Sequence, residues 1–105
     1  MSYAWLFVDP VSGVVHLFGE YDIAADLDSV GDELRCALHA EKRPVLDLSG
    51  LQFADSCLMN VLAQAAVEGI EVNVQNPPSI VRRALDISGV STLVAVDRIP
   101  EGSAA

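Results

Sequence analysis

Basic residues are scarce in this chain, and the first 34 residues contain no lysine or arginine at all. The whole chain has six Lys and Arg against 15 Asp and Glu, which gives a formal net charge of −9. Such a surface would repel the phosphates of nucleic acid, so the composition argues against nucleic acid as a partner. Seven of the acids lie in residues 1–34, where they could steer a basic protein partner or simply form a solvated helix face. The sequence leaves these two alternatives open.

Cysteine is also scarce, since Cys36 and Cys57 are the only two and their spacing is not that of a metal site. Neither a disulfide framework nor a zinc site is therefore indicated. The segment Met1–Pro10 lacks the basic residues of a signal peptide, and its apolar run Tyr3–Val8 is too short to span a membrane. We expect a cytoplasmic protein that holds neither a metal nor a cofactor.

The motifs of catalysis are missing as well. The sequence has no GxxxxGK[ST] loop and no strand-linked GxGxxG, so it shows no nucleotide loop of its own. The only histidines, His16 and His39, have no serine or cysteine at a recognisable motif spacing, and we interpret both as structural. A hydrolase that uses Ser56 would need a base and an oxyanion motif, and neither accompanies this serine. The sequence therefore predicts a protein that is not an enzyme.

The residues that are present predict a single α/β domain. Of the 105 residues, 51% are hydrophobic and only 20% are charged, which is enough for one modest core and argues against disorder. Hydrophobic periodicity predicts the order β-β-α-β-α-β-α-β, with an antiparallel start and then parallel strands in a mixed sheet with helices packed against it. The predicted domain core covers about 4–97, and 98–105 is expected to be a flexible tail.

The predicted elements follow from apolar runs, apolar stripes and turn residues. Val45–Leu48 is expected to be a central strand that is covered on both faces, because its apolar residues are successive. The other predicted strands are Ala4–Val8, Val14–Phe18, the alternating run 70–75, and Thr92–Val96. The predicted helices run from about 25 to 40, with Leu27, Val30, Leu34, Ala37 and Leu38 inward; from Ser56 to Glu68, with Leu58, Val61, Leu62 and Ala65 inward; and from 76–79 to Gly89, with Ile80, Val81, Ala84, Leu85 and Ile87 inward.

The dipeptide Asp55-Ser56 has a position that is chemically meaningful, because it stands directly before a helical pattern. Either side chain could cap the helix and contribute about 1 kcal/mol. Alternatively, an exposed Ser56 hydroxyl could accept a phosphate, which adds about −1.5 to −2 charges. A helix N-terminus tolerates an anion, so phosphorylation would change what the surface binds and leave the fold intact.

Three motifs in register resemble the STAS domain of the anti-sigma factor antagonists. They cover the chain from about 14 to 96, and no single one of them is decisive. The pattern G-E-x-D matches Gly19, Glu20 and Asp22. The pattern V-x-D-L-S-x-L-x-F-x-D-S matches Val45, Asp47, Leu48, Ser49, Leu51, Phe53, Asp55 and Ser56. The pattern N-P-x-x-x-V-x-R-x-L-x-x-S-G is similar to Asn76, Pro77, Val81, Arg83, Leu85, Ser88 and Gly89.

The resemblance implies a phosphorylation-switched regulator of transcription. When Ser56 is unphosphorylated, the antagonist is expected to bind an anti-sigma factor and thereby free a sigma factor. That anti-sigma factor resembles a histidine kinase and is the serine kinase for Ser56; a phosphatase acting on Ser56 is a further partner that the switch allows. The implied partner-binding residues are Gly19, Glu20, Tyr21, Asp22, Asp55, Ser56, Cys57, Leu58 and Asn60.

The chain departs from the family where the pattern reads D-S-S/T-G-L-G. Here the segment is Asp55-Ser56-Cys57-Leu58-Met59-Asn60, so both glycines are lost and Leu58 is expected to add bulk beside the acceptor. The alternative function is therefore a STAS scaffold that is not phosphorylated, in a larger regulatory complex or as a ligand-sensing subunit. Cys57 is either a small buried apolar residue or a redox-sensing thiol. Tyr21 is either an exposed contact or part of the core.

Overall fold

The computed structural model describes residues 3–97 of the chain, and the predicted tail 98–105 lies outside them. The predicted fold class is confirmed, because an antiparallel hairpin leads into a parallel sheet with helices packed against it. The strands are β1 (Ala4–Val8), β2 (Val15–Tyr21), β3 (Val45–Asp47), β4 (Leu51–Ala54), β5 (Asn73–Gln75) and β6 (Ala95–Val96). The helices are α1 (Ile23–Leu27), α2 (Ser29–His39), α3 (Ser56–Val67) and α4 (Ser79–Ser88), followed by a 3₁₀ turn at Val90–Thr92.

The sheet has the order β1-β2-β3-β5-β6, so β3 is a central strand, as its apolar run predicts. Its predicted cover on both faces is wrong: Leu46 is buried, but Val45 and Asp47 are only half-buried. One face of the sheet packs against the helices, and the other carries aromatic side chains of β1 and β2 that stay partly exposed. The successive apolar residues of β3 therefore reflect its central place in the sheet and not a second layer of helices.

Strand β4 is an element that the hydrophobic pattern does not predict. It pairs in parallel with the second half of β2, with Gly19 opposite Leu51 and Tyr21 opposite Ala54. This pairing extends β2 to Tyr21, so Gly19 to Tyr21 belong to the strand that was predicted to end at Phe18. The two strands end side by side, and this arrangement positions the candidate site.

The single helix predicted over 25–40 is in fact two helices. The backbone of Asp28 is extended (φ −90°, ψ 179°), which ends α1 and caps α2. A side chain at Gly31 would place its Cβ only 2.1 Å from the carbonyl oxygen of Asp26, so glycine is needed where the two helices meet. The break turns Leu27 outward, with 80% of its surface exposed, and its predicted inward position is wrong.

The end of the chain also differs from the predicted pattern. In α4, Val81 and Leu85 are buried, whereas Ile80 and Ile87 are exposed, so their predicted inward positions are wrong. This helix covers the sheet with a narrow stripe, which leaves the flanking positions in solvent. Gly89 ends α4 in the left-handed conformation, as expected. The predicted strand from Thr92 begins only at Ala95, because a 3₁₀ turn occupies its first part.

The ends of α2 and α3 are joined by a histidine whose charge should depend on pH. The Nδ1 of His39 donates to the carbonyl oxygen of Arg35 (2.7 Å), and its Nε2 lies 3.3 Å from Oε1 of Glu68. The hydrogen bond to Arg35, with help from Glu68, raises the pKa of His39 above 6.5. The contacts of protonated His39 with Arg35 and Glu68 therefore stabilise the fold at pH values below 6.5. This contribution to stability is lost as the pH rises through the raised pKa of His39.

We expect His39→Gln to remove this pH-dependent part of the stability. In melting curves recorded from about pH 5.5 to about pH 8.5, the difference between the wild type and the variant should be largest at the acidic end. It should shrink as the pH rises, because neutral imidazole loses its attraction to Glu68. A constant difference across this range would contradict the assignment.

Candidate functional site

The start of α3 presents Ser56 on the surface. Strand β4 runs into Asp55, whose extended backbone (φ −110°, ψ −164°) ends the strand. The Oδ1 of Asp55 accepts a hydrogen bond from the backbone N–H of Cys57 at 2.8 Å, so Asp55 is the residue that caps the helix. Ser56 is the first helical residue and is exposed, and its hydroxyl makes no hydrogen bond to any residue in 3–97. The capping role is thus filled without Ser56, and its hydroxyl is left available.

A second aspartate cap lies beside the first. Because Tyr21 pairs with Ala54, β2 and β4 end together, and the N–H of Asp55 donates to the carbonyl oxygen of Tyr21 at 3.2 Å. Directly after Tyr21, the Oδ1 of Asp22 accepts from the N–H of Ala25 at 3.1 Å and caps α1. The edge of the sheet that carries Ser56 therefore also carries two carboxylates, and a phosphate there would add to negative charge that is already present.

Cys57 is half-buried behind these carboxylates. Burial raises the pKa of its thiol, and the negative charges of Asp55, Asp26 and Asp22 raise it further. A redox-sensing cysteine needs a lowered pKa, because the thiolate is the reactive form. The surroundings of Cys57 therefore favour the small apolar residue among the two alternatives.

Tyr21 belongs to the core and is not an exposed contact. Its side chain is fully buried, and its hydroxyl donates to Oδ1 of Asp26 at 2.7 Å. The same oxygen accepts from Nη2 of Arg35 at 2.6 Å, which joins β2, α1 and α2. Burial and the hydrogen bond to Asp26 raise the pKa of Tyr21, so the hydroxyl stays protonated. The predicted contact of Tyr21 with a partner is wrong, because no part of its side chain reaches the surface.

Gly19 and Glu20 are strand residues, and Gly19 has a structural reason to be glycine. It has a φ of +89°, and a Cβ would lie 2.2 Å from the carbonyl oxygen of Tyr3. The N–H of Glu20 donates to that same oxygen at 2.7 Å, at the position where the register between β2 and β4 shifts. Glu20 is half-buried. Gly19 thus shapes the end of β2, and of the G-E-x-D motif Asp22 is the residue whose carboxylate is held at the site, where it caps α1.

Leu58 is fully buried, so the predicted bulk beside the acceptor is wrong. It lies on the core side of α3 together with Met59, Val61, Leu62 and Ala65. Asn60, which stands where the family has its second glycine, is exposed and lies one turn after Ser56 on the same face of the helix. Of the two departures from the family pattern, only Asn60 therefore alters the surface that carries Ser56.

Two exposed apolar residues beside Asp22 were not predicted from the sequence. Ile23 and Leu27 lie one turn apart on α1 and are 61% and 80% exposed. The signal that points to them is Asp22 itself, because an aspartate is a preferred cap and predicts a helix that begins directly after it. The helix predicted over 25–40 does not include Ile23, and its apolar stripe places Leu27 on the inward face.

Other positions of the three motifs have structural contacts of their own. The Oδ1 of Asp47 accepts from the N–H and the hydroxyl of Ser49 at 2.8 and 2.6 Å, and its Oδ2 accepts from Nδ2 of Asn76 at 3.1 Å. These bonds tie the end of β3 to the segment after β5. In residues 3–97, no group of three or more His, Cys, Asp or Glu side chains could hold a metal ion. No helix in this described part combines the length and apolar character needed to cross a membrane.

Comparisons with known proteins agree with this architecture. A family model described as Mlab, STAS domain matches residues 8–95. An anti-sigma factor antagonist from Mycobacterium paratuberculosis has a similar structure, with a TM-score of 0.72 and 20% identity over 92% of this chain and 87% of that one. The anti-sigma factor antagonist SpoIIAA, in its unphosphorylated form, has a TM-score of 0.69 and 21% identity over 92% and 90%. At these identities the structures show a shared fold. A search of the curated proteins gives no match.

Proposed function

This chain belongs to the STAS domain family, and we propose that it is an anti-sigma factor antagonist switched by phosphorylation of Ser56. In this proposal the unphosphorylated protein binds an anti-sigma factor in the cytoplasm and thereby releases a sigma factor. The anti-sigma factor is also the kinase, of the histidine-kinase-like type, and a phosphatase would restore the binding form. The antagonist itself carries out no catalysis.

The position of Ser56 is the observation that carries the proposal. Its hydroxyl is exposed at the first residue of α3, and Asp55 already provides the helix cap. A phosphate at this point gains from the positive end of the helix dipole, so the fold can accept it. At the same time it places about −1.5 to −2 charges beside Asp22 and Asp55. The modification would thus act on binding and leave the fold in place.

The surface around Ser56 supports a protein as the partner. Ile23 and Leu27 offer apolar contact area, and Asp22 and Asp55 lie next to them as acidic groups. Interfaces commonly combine an apolar centre with a charged rim. A matching anti-sigma factor would present an apolar patch and basic side chains, and the acidic first third of the chain would speed their encounter.

A second candidate is a STAS scaffold that is not phosphorylated, either inside a larger regulatory complex or as a ligand-sensing subunit. Two observations favour it. The matching family model is described as Mlab, STAS domain, and this description names neither an anti-sigma factor nor phosphorylation. In addition, Asn60 replaces a family glycine on the exposed face of α3, where a kinase would have to approach.

Phosphorylation by the cognate anti-sigma factor distinguishes the two candidates. Incubation with ATP and the anti-sigma factor encoded beside this protein should add one phosphoryl group to the intact mass, and Ser56→Ala should abolish the addition. Ser29→Ala is the matched control, because Ser29 is also an exposed first helical residue behind an aspartate cap, with its N–H donating to Oδ1 of Asp28 at 2.8 Å. This control should be modified like the wild type.

The scaffold candidate makes the opposite forecast for the same assay. If none of the co-encoded kinases modifies the protein, or if the phosphoryl group persists in Ser56→Ala, the proposed switch at Ser56 is wrong. Stable association of the unmodified protein with a larger complex would then support the scaffold.

A further inference from the structure

Within residues 3–97, strand β1 is an edge strand of the sheet, because its partner there is β2 alone. The carbonyl oxygen of Tyr3 accepts from Glu20, and the N–H of Asp9 donates to Val14, so the odd-numbered residues of β1 direct their backbone groups toward β2. In an antiparallel pair these groups alternate, and the N–H and C=O groups of Ala4, Leu6 and Val8 therefore point away from the sheet. No residue within 3–97 bonds to them. Three successive bonding positions are thus open to an added strand.

A groove of about 520 Å³ runs beside this edge, between β1 and the junction of α1 and α2. Its apolar lining comes from Ala4 and Leu6 of the strand and from Ala25 and Val30 of the helices. Asp28 and Glu33 contribute carboxylates to the lining. The groove thus offers open backbone groups, an apolar floor and a negative rim in one place.

The charges around the groove indicate what kind of molecule it can bind. Neither Asp28 nor Glu33 forms an ion pair within the described residues, and the first basic residue of the chain, Arg35, is held by Asp26. In a pair of copies joined edge to edge through β1, Asp28 and Glu33 of both copies would face the same seam. Like charges so placed are destabilising, so the charge pattern disfavours a second copy and favours a basic segment.

We propose that the β1 edge and this groove bind an extended, basic segment of another protein, which pairs with β1 as an added strand. The strand lacks two of the usual protections against such pairing, since Ala4–Val8 contains no charged residue and no proline. Backbone bonds to Ala4, Leu6 and Val8 would supply affinity, and lysine or arginine side chains that reach Asp28 and Glu33 would supply selectivity. This surface is separate from Ser56 and does not depend on its phosphorylation.

Amide hydrogen exchange with a model peptide tests the proposal directly. The probe is a blocked hexapeptide of alternating lysine and valine, added to the full chain up to millimolar concentration. Exchange should slow at the amides of Ala4, Leu6 and Val8, whereas those of Trp5 and Phe7, which face β2, should hardly change. The same peptide N-methylated at its lysine residues, or with glutamate in place of lysine, should give no protection.

A pair of charge variants tests whether the groove prefers a basic segment. Glu33→Lys should weaken binding of the lysine-valine peptide by about 10-fold, since it reverses a charge in the groove. Asp86→Lys makes the same kind of change at an exposed site on α4, none of whose residues lines the groove, and should alter binding less than about 2-fold at moderate salt, because exposed charges beyond a Debye length are screened. Unchanged exchange at Ala4, Leu6 and Val8, or equal effects of the two variants, would overturn the proposal. Protection of the same amides that rises with protein concentration alone would identify a second copy as the occupant and would also overturn it.

Discussion

Replacing Leu58 with glycine, the residue of the family pattern, is expected to lower the free energy of unfolding by roughly 3 to 6 kcal/mol. Truncation of a fully buried leucine to alanine costs about 2 to 5 kcal/mol, and glycine inside a helix costs about 1 kcal/mol more. Leu58 is 0% exposed and lies in the core with Leu62 and Leu85. Such a loss is a large share of the stability of a small domain, which is about 5 to 15 kcal/mol.

Asn60→Gly is the matched control for this variant. Asn60 is exposed and fills the position of the second family glycine, so its replacement should cost only a few tenths of a kcal/mol. Urea unfolding of both variants checks the difference. If Leu58→Gly costs less than about 1 kcal/mol, Leu58 does not hold the core as described, and its side chain would again be a candidate for the surface beside Ser56.

The parts of the fold that follow from local pattern could be predicted. Val45–Asp47 and α3 have strong apolar patterns, so both the strand and the helix could be expected. Asp55 is a preferred capping residue, so the position of Ser56 at the start of α3 could be expected as well. The left-handed end of α4 at Gly89 follows in the same way from a residue type with few alternatives. In each case the information lies within a few residues of the chain.

The parts that depend on distant contacts could not be predicted. The apolar spacing from Leu27 to Leu38 is continuous, and only the close packing of Gly31 against Asp26 shows that the helix is broken at Asp28. Strand β4 forms because β2 lies beside it, and its own four residues alternate poorly. Tyr21 is buried because Asp26 accepts its hydroxyl, five residues further along the chain. The outward position of Leu27 follows from the same break at Asp28, whereas Ile23 has a local signal in the capping residue Asp22.

Ser56→Glu is expected to weaken the complex with the anti-sigma factor by at least about 10-fold, which corresponds to about 1.4 kcal/mol. The added carboxylate lies beside Asp22 and Asp55, in the surface that we propose for the partner. A charge that becomes buried there without a partner costs several kcal/mol. The stability of the free protein should stay the same or rise slightly, because an anion is favoured at the start of α3.

Gln64→Glu separates this effect from the general consequences of an added charge. Gln64 is exposed on α3 eight residues after Ser56, so the variant adds the same group to the same helix about 12 Å further along its axis. Its affinity for the anti-sigma factor should remain within about 2-fold of the wild type, since at moderate salt exposed charges act only over about 10 Å.

Titration of the wild type, Ser56→Glu and Gln64→Glu against the anti-sigma factor, with melting curves of the free proteins in parallel, tests the central claim most directly. The claim is that charge at Ser56 controls binding and leaves the fold intact. We predict a loss of affinity for Ser56→Glu alone, with the three melting temperatures nearly equal. Unchanged affinity of Ser56→Glu together with an altered melting temperature would contradict the claim and would show that Ser56 serves only the start of the helix.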